Sequence, residues 1–255
     1  MKRFLAAIAF LTRLPVGRWA AFDAADVGRS AGWFPLIGAL LGSVYSLAAF
    51  LLKGHLPSGV VAVLLVLLDA LATGALHFDG LADTADGFGG GVNREDVLRI
   101  MRDHCIGAYG GIALVVAVAL KSATYDGLLR QSDWMTALIL TPALGRWSVL
   151  ILTATLPYAR RTGQDPASHG QGAYPTFGMG TRSLVWGTLA MTAALIAAMS
   201  GRAWIATAVV VVVTACFGLY CRRRIAGITG DTLGASVQLC ESAALLTFLW
   251  VGYPR

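Results

Sequence analysis

Residues 57–77 read PSGVVAVLLVLLDALATGALH. Asp69 and His77 are the only ionisable residues in this mostly apolar run, which matches the roughly 20 residues a helix needs to cross a bilayer. Comparable runs recur at 31–52, 107–127, 134–156, 183–201, 203–221 and 232–252, the third and fourth of the seven holding Lys121 and Arg146. No segment alternates apolar and polar residues as a membrane β-strand does. Composition agrees: 56% of the 255 residues are hydrophobic and 13% charged, against about 25% charged in soluble domains. These numbers argue against a soluble cytosolic domain and exclude a disordered chain. The 30 glycines show no collagen period, and Cys105, Cys216, Cys221 and Cys240 form no Cys-x-x-Cys pair, which argues against a zinc site or a disulfide framework. The expected fold is all-α: one polytopic membrane domain over 1–255 with about seven transmembrane helices. The N-terminal KRFLAAIAFLTRLP, residues 2–15, is too short to span and ends at Arg13 and Pro15. No convincing small-residue cleavage site follows, so it reads as an interfacial or re-entrant helix rather than a signal peptide.

Orientation follows from the positive charges. With the N-terminus in the cytoplasm and seven alternating spans, fourteen of the 20 Lys and Arg residues fall inside and four outside, with Lys121 and Arg146 within spans. That bias supports an N-inside, C-outside protein. Most acids fall inside too, so function is expected at the cytoplasmic face, on the segments 78–106, 157–182 and 222–231.

One acidic stretch stands out, His77-Phe-Asp79-Gly-Leu-Ala-Asp83-Thr-Ala-Asp86-Gly. Its aspartates are spaced i, i+4, i+7, within an arc of roughly 60° on one helical face. Like charges so close repel unless a cation joins them, and hard oxygen donors suit Mg²⁺, the usual partner of a diphosphate. The competing reading is a solvated acidic loop with Asp-Gly turns. Gly87, Gly89, Gly90 and Gly91 follow, as a phosphate approach or a plain turn; without Gly-Lys-Ser/Thr this is no P-loop. Asn93 fits the cap of a short helix carrying Glu95–Arg99 and Arg99–Asp103 pairs. Arg102 and Asp103 read equally well as phosphate and metal or hydroxyl partners, or as the lead-in to close helix packing through Gly107-x-x-x-Gly111, as with Gly38-x-x-x-Gly42.

Ionisable residues within spans are functional candidates by default. Asp69, Lys121, Arg146 and Glu241 form this set; Arg146 suits either a salt bridge or a phosphate clamp, and Glu241 needs a partner or a polar cavity. Asp231, after Arg222–Arg224, reads as a helix N-cap or a site residue. Residues 157–182, rich in Gly, Pro and polar residues, read as a mobile lid or connector, with His169 solvated.

These motifs resemble the cobalamin synthase family, the adenosylcobinamide-GDP ribazoletransferases. The resemblance runs through Phe10-Leu-Thr-Arg13-Leu-Pro15, Phe34-Pro35-Leu-x-Gly38, Ala75 to Gly87, Ile100-Met-Arg102-Asp103, Gly107-x-x-Gly110-Gly111, Tyr158-Ala-Arg160 and Thr229-Gly-Asp231-Thr-Leu-Gly234-Ala. It implies joining adenosylcobinamide-GDP to α-ribazole or its 5′-phosphate with release of GMP, using Mg²⁺, in the bacterial inner membrane. On that reading Asp79, Asp83 and Asp86 hold the metal. Arg102, with Arg13 or Arg146, balances phosphate charge, and His77 or a spare carboxylate, Asp103 among them, accepts the hydroxyl proton. Arg160, Asp231 and Glu241 complete the substrate-binding candidates. One departure is that some relatives carry an acid where Gln238 stands. The expected partners are the two substrates and the lipid bilayer, with no nucleic acid; a homo-oligomer is compatible with this reading.

Two other readings compete. A CDP-alcohol phosphotransferase also places aspartates beside a span, but Gly89-Gly90 stand where its Ala-Arg belongs. A transporter would line an ion path with Asp69, Lys121, Arg146 and Glu241, although no repeated halves are visible.

Overall fold

The structure, a computed structural model, describes residues 1–16, 22–103, 105–160 and 181–252. Arg18, His104, Arg161, Asp165 and His169 therefore lie outside the described residues. The elements are α1 (Lys2–Leu11), α2 (Ala24–Ser30), a 3-10 turn (Ala31–Trp33), α3 (Phe34–Leu52), α4 (Ser58–Thr73), α5 (Leu76–Gly90), α6 (Arg94–Ile100), α7 (Ala108–Leu129), α8 (Trp134–Thr155), α9 (Thr181–Ala198), α10 (Gly201–Ile225) and α11 (Gly230–Gly252).

Among the described residues, six helical segments are long and apolar enough to cross a membrane. The seventh apolar stretch is a pair, α4 and α5, bent by 92°. Here the structure differs from the continuous span expected over 57–77. Gly74 and Ala75 both adopt left-handed backbone, φ +64° and +58°, which ends α4 and sends α5 across the end of the bundle. Gly74 takes that conformation without steric cost, whereas Ala75 pays about 1 kcal/mol or more. The Arg13 backbone N–H donates to the Ala72 carbonyl at 2.8 Å, satisfying a group at the end of α4. Arg13 itself packs over Gly74, where a Cβ would collide with its guanidinium.

Short helices begin on side-chain caps. Asp23 accepts the Asp26 N–H at 2.6 Å, and Asn93 accepts the Asp96 N–H at 2.9 Å, the cap expected for α6. Arg99 pairs with Asp96 at 3.3 Å, three residues back, instead of with Glu95 or Asp103.

Close helix crossings are built from small residues. Gly38 and Gly42 on α3 lie against the Pro142 and Leu138 carbonyls of α8, as their spacing suggested. Gly111 makes no such contact, because a Cβ there would meet nothing within 4 Å. The bundle interior is apolar, with Phe34, Ile37, Leu65, Leu138, Leu144, Val237 and Phe248 all buried. Phe50, Val63, Leu67, Val115, Val212 and Trp250 are exposed. Such an apolar exterior is a liability in water and the required surface in lipid.

One end of the bundle gathers the polar chemistry. Arg94 donates to the Ile225 and Ala159 carbonyls at 3.0 and 2.5 Å. Arg224 donates to the Phe88 and Gly91 carbonyls at 2.8 and 2.7 Å. The segment after α8 pairs with the segment before α11, Ala159 N–H donating to the Ile228 carbonyl at 2.7 Å. These bonds tie α5, α6, α8, α10 and α11 together at that end.

Candidate active site

At that end α5 crosses α11 glycine on glycine. A Cβ at Gly80 would lie 2.7 Å from the Asp231 carbonyl oxygen and 3.1 Å from the Gly234 Cα. The close crossing sets Asp79 and Asp83 of α5 beside Asp231 of α11. All three line one cavity of about 320 Å³, together with His77 and Arg102. Its apolar wall comes from Phe10, Leu11, Phe34, Met101, Val149, Leu233 and Val237. Sequence reasoning missed that wall and the Gly80–Gly234 crossing, although Phe10 and Phe34 sit within the motifs that carried the resemblance.

Asp231 is not the cap of α11. Thr229 does that work, its hydroxyl accepting the Thr232 N–H at 3.2 Å while the Thr232 hydroxyl accepts the Thr229 N–H at 2.8 Å. Asp231 is left to accept from Arg160 at 2.8 Å and from the Thr229 hydroxyl at 3.3 Å. Arg160 thus reaches the cavity through Asp231.

The three aspartates of the acidic stretch part company. Asp79 is exposed and Asp83 half-buried on the cavity, but Asp86 is buried against the start of α7. Its carboxylate accepts the Gly107 N–H at 2.7 Å and the Gly110 N–H at 2.8 Å. Negative charge at a helix N-terminus is favourable, so Asp86 anchors α7. Gly107 and Gly110 leave the room its carboxylate fills. Partial burial, then the negative charges of Asp231, Asp79 and Asp86, push the Asp83 carboxyl up to about 7, with Arg160 acting the other way. His77 is buried on the same wall.

Among the described residues, no three His, Cys, Asp or Glu side chains stand close enough to cage an ion. A Mg²⁺ that bridges substrate phosphates does not need such a cage, because it commonly takes one or two carboxylates and completes its shell with phosphate and water. Asp79 and Asp83, one helical turn apart at the cavity wall, fit that requirement; Asp86, with both oxygens engaged, does not. The strained charge state of Asp83 is what a cation there would relieve.

Arg102 lines the cavity. Asp103 lines a neighbouring recess instead and accepts the Cys105 N–H at 3.1 Å. Arg13 flanks the α4–α5 bend without entering the cavity lining. Arg146 and Glu241 lie deeper, inside the bundle. Lys121, wholly buried, donates to Asp69 at 2.8 Å, Gln238 at 3.0 Å and Glu241 at 2.6 Å. Arg146 donates to the other Glu241 oxygen, and the Tyr45 hydroxyl donates to Asp69 at 2.9 Å. Two cations and two anions thus neutralise one another there, so Glu241 has its partners and Arg146 is engaged in a salt bridge. Gln238, the departure noted in the sequence, serves as an acceptor for Lys121.

Residues 3–249 match the family model described as cobalamin-5-phosphate synthase. The chain belongs to the cobalamin-5-phosphate synthase family. It is 43% identical over 260 residues to a protein of Azorhizobium caulinodans, covering 98% of this chain and 96% of that one. It is 40% identical over 254 residues to one of Rhizobium etli, covering 94% and 93%. It is 35% identical over 249 residues to one of Clostridium botulinum, covering 96% of each. All three carry the name adenosylcobinamide-GDP ribazoletransferase. No solved structure matches the chain. Neither the CDP-alcohol phosphotransferase nor the transporter reading is favoured by these matches.

Proposed function

We propose that the protein joins adenosylcobinamide-GDP to α-ribazole, or its 5′-phosphate, with release of GMP, at the cavity between α5 and α11. The observation that carries the siting is the Gly80–Gly234 crossing, which concentrates Asp79, Asp83 and Asp231 beside Arg102 in one recess. The cavity of about 320 Å³ suits the diphosphate and its immediate neighbours, with the bulky corrin left outside. The ribazole hydroxyl oxygen bonds to the phosphorus next to cobinamide, and the bond from that phosphorus to the bridging oxygen breaks. GMP departs with that oxygen and its electron pair. His77, on the cavity wall, or a carboxylate there, takes the hydroxyl proton. Arg102 faces the charge that builds on the phosphoryl oxygens. Arg160 holds Asp231 in place by their ion pair. Asp79 and Asp83 are the residues that would hold Mg²⁺, which when bound neutralises the diphosphate and stabilises the leaving phosphate.

The site faces the cytoplasm at the inner membrane. The excess of Lys and Arg on the segments at this end supports that orientation. The test is GMP formation by the purified protein from both substrates, with and without Mg²⁺. Metal-dependent GMP release is expected; release unchanged by chelation removes the metal from the mechanism, and no release removes the reading.

A further inference from the structure

A second cavity, of about 630 Å³, opens between α1, α2, the 3-10 turn, α3 and α9, and shares no lining residue with the acidic one. Its walls carry Lys2, Arg3, Arg29 and Arg182 together with the indoles of Trp33 and Trp186. Among the described residues, only Lys2 of these four cations has an ion-pair partner, Asp26 at 2.6 Å. Arg3, Arg29 and Arg182 are exposed. Arg29 also feels the Asp26 carboxylate, but no ion pair among the described residues engages the guanidinium groups of Arg3, Arg29 or Arg182, and three such groups lining one concavity attract a phosphate, for which their forked donors are matched.

The rest of the lining says what carries that phosphate. Leu36 and Ala190 lie among the cations, and the exposed Leu40 and Leu189 extend the apolar surface along α3 and α9. Both helices belong to segments able to cross a membrane. Trp33, held edge-on by Phe4 with ring centroids 5.4 Å apart, and Trp186 are the amphipathic rings that favour the headgroup level. A nucleotide or free phosphate has no use for an apolar wall running into the spanning region; a lipid does. We infer that this cavity is a binding site for an anionic phospholipid, its phosphate among Arg3, Arg29 and Arg182 and its chains along α3 and α9. The lipid would pin the short helix α1 to α9, and α1 supplies Phe10 and Leu11 to the wall of the acidic cavity.

The test needs no turnover. Delipidated protein in detergent is offered phosphatidylglycerol and phosphatidylcholine in equal amounts, and retained lipid is identified by native mass spectrometry. Preferential retention of phosphatidylglycerol is expected, with the preference falling roughly tenfold in R29Q/R182Q. The preference should persist in R222Q/R223Q, which removes two exposed cations of the same end outside this cavity. Equal retention of both lipids by the wild type, or equal losses in the two double variants, overturns the site. So does displacement of phosphatidylglycerol by excess inorganic phosphate or GMP, which would make it a soluble-phosphate site. Brominated phosphatidylglycerol gives an independent reading that requires no charge variant. It should quench wild-type tryptophan fluorescence more than that of W33F/W186F, and equal quenching overturns the proposal.

Discussion

Asp83 and Asp86 are three residues apart, yet their carboxylates do opposite work. Asp83 sits among like charges on the cavity, so its ionised form is disfavoured in the folded protein. A carboxyl raised in this way adds stability while protonated and loses it as pH rises through about 7. D83N should therefore abolish Mg²⁺-dependent GMP release while leaving the thermal midpoint at pH 8 unchanged or higher. D86N should do the reverse in kind, since it deprives α7 of a charged acceptor for two N–H groups. A loss of about 1–3 kcal/mol is expected, read as a lower midpoint in a detergent-solubilised melt. Protons and Mg²⁺ compete for Asp83, so the apparent Mg²⁺ affinity in a GMP-release titration should rise with pH across neutrality. In D83N, which releases no GMP, direct Mg²⁺ binding read by calorimetry should lose that pH slope.

At the scale of elements, the decisive features are a bend and a crossing. The left-handed pair Gly74–Ala75 turns α5 away from α4, and without it the aspartates would follow the direction of the span. A75G removes the Cβ from a left-handed position and should stabilise the protein by about 1 kcal/mol without loss of activity; a lower thermal midpoint would contradict the strain at Ala75. The α5–α11 crossing tolerates no side chain at its centre, where a Gly80 Cβ would meet the Asp231 carbonyl at 2.7 Å. G80L should force the helices apart, separate Asp83 from Asp231 and cut GMP release by orders of magnitude even where membrane insertion, checked by protease accessibility, is normal.

At the scale of the whole molecule, the buried tetrad Asp69–Lys121–Glu241–Arg146 ties α4, α7, α8 and α11 together inside the bundle. Its balance of charge is what makes it tolerable in an apolar interior. E241Q leaves two cations against one acid and should cost about 3–5 kcal/mol in a thermal or denaturant melt. D133N, which breaks the partly exposed Arg202–Asp133 pair of 2.6 Å at the other end, should cost less than about 1 kcal/mol.

The all-α build of six to seven apolar stretches, the helical acidic stretch and the Asn93 cap were legible in the sequence. Hydropathy and capping are local properties, and a bilayer rewards apolar length whatever the neighbours are. The candidate site was legible in part. Spacing placed Asp79, Asp83 and Asp86 on one face of a helix, but an arc of that width meets more than one neighbour, and only packing turned Asp86 toward α7. Arg146 and Glu241 carried the marks of functional residues because burial of charge is costly; that they pair with one another depends on contacts between distant helices. Asp231 joined the cavity and Asp103 left it for the same reason. The chain by itself determined which groups must leave water and which must stay near it. The folded molecule decided who meets whom, since pairing energies depend on a few ångströms that no local pattern encodes.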